Sequence, residues 1–116
     1  MFCVVLARTL QTLNSHFRKD AMITNFVDTS GWVGAEYQPS KSANEDWLWH
    51  YDEYRADVVR ELTMVKEIMG FTALRVFLHS KIYFANPSKL INVLDDLLSI
   101  AHEQGFGLGF VFFDDC

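Results

Sequence analysis

At 116 residues and 50% hydrophobic content the chain is long enough for one small domain with a core, and too apolar for disorder as a general description. Its net charge of −5 is spread along the chain without a Lys/Arg cluster, so it carries no electrostatic footprint for nucleic acid or an anionic membrane, and neither is expected as a partner. The two cysteines, Cys3 and Cys116, stand at opposite ends, which fits neither a disulfide framework nor a metal-ligand spacing and identifies no compartment.

Residues 1–31 read as a lead-in. Phe2 to Ala7 is apolar but lacks the basic flank and the length of a secretory signal, and no run approaches a membrane span. Leu10, Leu13 and Phe17 stand at helical spacing and predict a short helix ahead of a polar loop. Trp32–Tyr37 reads as a first strand, ended by Pro39 and the polar loop Ser40–Asp46. Asp52 is expected to cap a helix whose apolar face carries Val58, Leu62, Val65 and Met69, with Gly70 at its C′ position. Ala73–Leu78 is the second strand, with His79 and Ser80 at its end. Asn86 and Pro87 suit the cap and first turn of a second helix, whose stripe is Leu90, Leu94, Leu97 and Ala101 and whose stop is Gly105. The last strand, Leu108–Phe113, is the kind of apolar run enclosed on both faces of a parallel sheet, and Asp114, Asp115 and Cys116 follow it directly.

Strand, helix, strand, helix, strand is the order of consecutive right-handed βαβ units. With nothing after it to cover the last strand, the chain is expected to be the front of a larger enzyme. A doubly wound sheet needs about five strands, and a (β/α)8 barrel needs eight strands and about 250 residues. Each strand brings polar groups to the same pole: Glu36 and Tyr37 after the first, Arg75 and His79 on the second, Asp114 and Asp115 after the third. A nucleotide-binding sheet would instead show a glycine-rich turn from its first strand into a helix; here that loop is long, aromatic and acidic, and Gly105, Gly107 and Gly109 precede a strand. The expected fold is therefore α/β, a truncated TIM barrel: residues 32–116 supply its first three strands and two helices. No cofactor is expected.

Several blocks carry a resemblance in order and spacing: Gly34-Ala35-Glu36-Tyr37-Gln38-Pro39-Ser40, Trp47-Leu48-Trp49-His50-Tyr51-Asp52, Arg60-Glu61-Leu62, Gly70-Phe71, Leu74-Arg75-Val76-Phe77-Leu78-His79, Ile100-Ala101-His102-Glu103-Gln104-Gly105 and Phe112-Phe113-Asp114-Asp115-Cys116. Together, over about residues 32 to 116, they resemble the amino-terminal part of a glycoside hydrolase family, described as cellulase-like or xylanase-like, with a (β/α)8 barrel. The resemblance implies retaining hydrolysis of the O-glycosidic bonds of a β-linked glycan by two glutamates on the fourth and seventh strands, beyond residue 116. It further implies that Arg75 reaches towards the nucleophile carboxylate and that Asp114 and Asp115 line the sugar site. The expected partner is an oligo- or polysaccharide, and the expected binding residues are Glu36, Tyr37, Trp47, Trp49, Arg75, His79, Asp114 and Asp115.

Each of these residues has a second reading. Arg75, in an apolar strand, must reach solvent or meet a carboxylate, either Glu36 or one outside the chain. His79 orients substrate, binds a metal or is a hydrogen-bonded structural group. Asp114 and Asp115 point opposite ways on a strand, which disfavours a paired catalytic device. Trp47 and Trp49 either stack on sugar rings or pack the loop. Besides the hydrolase, two functions stay open: a non-catalytic relative that binds carbohydrate at the same pole, and an unrelated barrel enzyme with Asp115 and His79 as metal ligands. Unpaired strand edges are expected to make the chain self-associate.

Overall fold

The computed structural model describes residues 3–5 and 28–112. Four strands make one sheet, β1 (Cys3–Val5), β2 (Gly34–Glu36), β3 (Ala73–Phe77) and β4 (Gly107–Val111), in the order β1-β4-β3-β2. β2, β3 and β4 are parallel, and β1 runs antiparallel to β4. Helices α1 (Asp46–Trp49) and α2 (Tyr51–Met64) link β2 to β3, with a π-helical turn, Val65–Met69, extending α2; α3 (Ser80–Ala85) and α4 (Pro87–Glu103) link β3 to β4.

The core follows from two periodicities meeting. Along β3, Leu74 and Val76 are buried while Arg75 between them is exposed, as a pleated strand covered on one face requires. The register sets Leu74 beside Leu108 and Val76 beside Phe110. Against this layer pack Val58 and Leu62 of α2 and Leu90, Val93, Leu97, Ile100 and Ala101 of α4. Each of these Val, Leu and Ile side chains contributes about 1.5–3 kcal/mol on full burial. The α4 terminus is set locally: the Asn86 side chain accepts from the Lys89 amide at 3.0 Å and Pro87 stands in the first turn.

The barrel is not the fold. In a (β/α)8 barrel the outer edge of β4 receives a fourth parallel strand. Here β1 lies on that edge, with Cys3, Val4 and Val5 opposite Val111, Phe110 and Gly109 in antiparallel register. The molecule is a small α/β domain in which three parallel strands carry an antiparallel edge strand. A three-residue strand is too short for alternation to reveal, so the lead-in reading passed over it. The helix expected around Leu10, Leu13 and Phe17 lies outside the described residues, as do Phe113, Asp114, Asp115 and Cys116.

Smaller differences have equally local causes. Asp52 is not the cap of α2: His50 occupies that position without a side-chain cap, and Asp52 and Glu53 sit in the first turn, where carboxylates favour the helix dipole. Val58 and Leu62 are buried, but Met69 is 59% exposed, because the wider π-helical turn rotates the apolar stripe away from the sheet. Gly70 ends that turn at φ 65°, in the left-handed region.

Candidate functional site

A cavity of about 420 Å³ opens at the carboxyl ends of β2 and β3, the position where parallel sheets place ligands. Glu36, Gln38, Asn44, Glu45, His79 and Lys81 supply its polar lining, and Tyr37, Trp47, Phe77 and Leu78 its walls. The polar set comes from three places: the last residue of β2, the loop between β2 and α1, and the start of α3.

The aromatic wall belongs to the core. Tyr37 is 8% exposed, and its hydroxyl donates to Glu61 Oε2 at 3.0 Å. Burial, reinforced by the Glu61 charge, holds the Tyr37 hydroxyl well above the ordinary phenol range, so it is a neutral donor. Trp47 is 2% exposed and meets Tyr37 edge-on, with ring centroids 6.3 Å apart at 76°. It also meets Tyr51, tilted at 49° with centroids 6.3 Å apart. Its buried ring therefore packs the loop. Trp49 is half-buried on α1, away from the cavity lining, and its carbonyl accepts a bond from Lys89 Nζ.

Arg75 resolves its burden by exposure and pairing. It stands on the sheet face opposite the helices, its guanidinium 3.5 Å from Glu36 and its Cζ 5.0 Å over the Phe77 ring. Glu36 thus joins the cavity to a second recess of about 430 Å³ on that face, bordered by Trp32, Gly34, Arg75 and Gly109. His79 caps α3, its Nδ1 accepting the Lys81 amide at 3.2 Å.

Of the eight residues singled out from sequence, Glu36, Tyr37, Trp47 and His79 meet around one cavity and Arg75 adjoins it through Glu36. Trp49 stands apart, and Asp114 and Asp115 lie outside the described residues. Gln38, Asn44, Glu45 and Lys81 were missed. Asn44 had a signal: among residues other than glycine an asparagine is one of those that best tolerate positive φ, and it adopts φ 49° here. The others are ordinary surface residue types with no periodicity to mark them.

The loop that carries Tyr37, Gln38 and Asn44 is internally braced. The Ser42 amide donates to the Pro39 carbonyl at 2.9 Å, the Gln38 side-chain amide to the Ser42 carbonyl at 2.9 Å, and the Trp47 amide to Ser42 Oγ at 3.1 Å. The cavity therefore offers two carboxylates, two side-chain amides, an ammonium and an imidazole on a fixed frame, a mixture of donors and acceptors suited to a polyhydroxylated ligand. Among the described residues no group of three or more His, Cys, Asp or Glu side chains is placed to hold a metal ion, and Asp115, the partner of His79 in the metal-ligand reading, lies outside them. No protein-family model, curated protein or solved structure matches the chain.

Proposed function

We propose that the chain binds a β-linked oligo- or polysaccharide at the strand-end cavity, as the glycan-recognising part of a glycoside hydrolase. The observation that carries this reading is the convergence of Glu36, Gln38, Asn44, Glu45, His79 and Lys81 on one open cavity of about 420 Å³ at the carboxyl ends of two parallel strands. Sugar hydroxyls both donate and accept, and such a lining answers them with both kinds of group. The sequence blocks described above supply the glycosidase half of the proposal. Among these residues we assign no hydrolytic glutamate pair, so the chain alone is expected to bind without cleaving.

Calorimetric titration with β-glucan, xylan and mannan oligosaccharides tests the reading. One of them should bind, Glu36→Ala should weaken that binding about tenfold or more by removing a charged hydrogen-bond acceptor, and Gln38→Ala should weaken it by less. Ser99→Ala, on the exposed side of α4, should leave it unchanged. Absence of binding to the whole panel, or binding indifferent to both cavity substitutions, overturns the proposal; release of reducing sugar by the chain alone would overturn the placement of the hydrolytic pair.

A further inference from the structure

We infer that Glu61 of α2 is the positioning residue of the strand-end cavity, fixing the turn that forms the wall a ligand meets. Its carboxylate takes donors from two points of that turn: the Tyr37 hydroxyl at 3.0 Å, and at Ser40 both the hydroxyl at 2.5 Å and the amide at 3.3 and 3.2 Å to its two oxygens. Between these points lie Gln38, which faces the cavity, and Pro39, which is fully buried. Glu61 itself is held on a rigid element, next to Leu62 and one turn beyond Val58, both in the core. Tyr37 is buried, and a buried hydroxyl without a partner is costly, so the Tyr37–Glu61 bond also ties the turn to the domain interior.

A second tie between the same loop and α2 does not replace it. Lys41 pairs with Asp57 at 3.1 Å, but the Lys41 side chain is 65% exposed, and ion pairs of that kind contribute little. Several charge-assisted bonds to one half-buried carboxylate outweigh one solvated bridge. Loss of Glu61 should therefore loosen Tyr37 to Ser42 locally while the sheet keeps its packing.

Only the ligand half of the test rests on the carbohydrate reading. In Glu61→Gln, hydrogen exchange at the Ser40 amide should accelerate about tenfold while the Val76 amide in the core exchanges as before. Affinity for the oligosaccharide that binds the unmodified chain should fall about tenfold. Combined with Gln38→Ala, the two losses should be less than additive, because both act through one wall. Unaltered Ser40 exchange overturns the inference, as does equal acceleration at Val76 or strict additivity. If no glycan binds the unmodified chain, the carbohydrate reading fails and exchange alone decides the role of Glu61. Should Glu61→Gln fail to fold, Ser40→Ala read at the Ser42 amide carries the same test: faster exchange there upholds the positioning role, and no change refutes it.

Discussion

Arg75 and Gly34 show how far a residue's apparent oddity can mislead about its energetic weight. An arginine in the middle of an apolar strand reads as a strong demand for a buried partner, yet its side chain is 48% exposed and its partner Glu36 is 58% exposed. Such a solvated pair contributes little, so Arg75→Ala should change the unfolding free energy by less than about 1 kcal/mol in urea titration. Gly34 looks unremarkable, but a Cβ there would lie 1.7 Å from the Ala73 carbonyl oxygen, a backbone atom that cannot move without breaking the pairing of β2 with β3. Gly34→Ala should cost about 3 kcal/mol or more in the same titration. If the two substitutions proved equally harmful, the exposed placement of Arg75 would be wrong. The same contrast explains why Trp47 was ambiguous from sequence: a tryptophan in a loop has flat faces for a sugar whether or not the fold leaves them free, and here the ring is buried in the core.

Between elements, α2 and α4 are joined by one polar cluster. The Tyr51 hydroxyl donates to Asp96 at 2.7 Å, and Arg55 Nε and Nη2 donate to its two oxygens at 2.8 and 2.9 Å. The Arg55 guanidinium, aided by the Tyr51 hydroxyl, holds Asp96 below the usual carboxylate range. Asp57 is lowered by Lys41, and Asp46 by the Tyr54 hydroxyl. A carboxyl whose pKa is depressed on folding adds stability that is fully present above its unfolded value, about 3.9, and is lost as pH falls through the folded value. Urea midpoints should therefore fall as pH drops below about 4, and Asp96→Asn should flatten that slope. Asp96→Ala, which leaves the buried Tyr51 hydroxyl without its partner, should cost about 1–3 kcal/mol at neutral pH; an unchanged midpoint would mean that water satisfies Tyr51. The long elements were legible because their signals repeat: α4 shows its stripe, its Asn86 cap and its stop over 17 residues. The short helices α1 and α3, of 4 and 6 residues, offer too few turns for a period to register. The π-helical turn likewise breaks the period on which the placement of Met69 depended.

At the scale of the molecule, the sheet's edges decide what the chain does with neighbours. The apolar run of β4 suggested an unpaired edge awaiting further strands, and β1 is what pairs it. The sequence could show that β4 was buried but not by what, since pairing between residues more than a hundred positions apart leaves no local trace. The free edge moves to β2, which among the described residues is paired only on its β3 side. Val33 beside it is 59% exposed. Inward bonds use the Val33 carbonyl, which accepts from the Thr72 and Ala73 amides, and the Tyr37 amide, which donates to the Arg75 carbonyl. By the period of the strand, the amide and carbonyl groups of Gly34 and Glu36 then point outward, where an extended segment can add. β2 is three residues long, so the association it supports should be weak and concentration-dependent rather than a tight dimer. Analytical ultracentrifugation over a hundredfold concentration range should show reversible self-association. Val33→Lys, which places a charge beside the edge without touching the cavity, should shift the chain to monomer with its unfolding transition retained. Association that persists undiminished in Val33→Lys would move the contact away from β2.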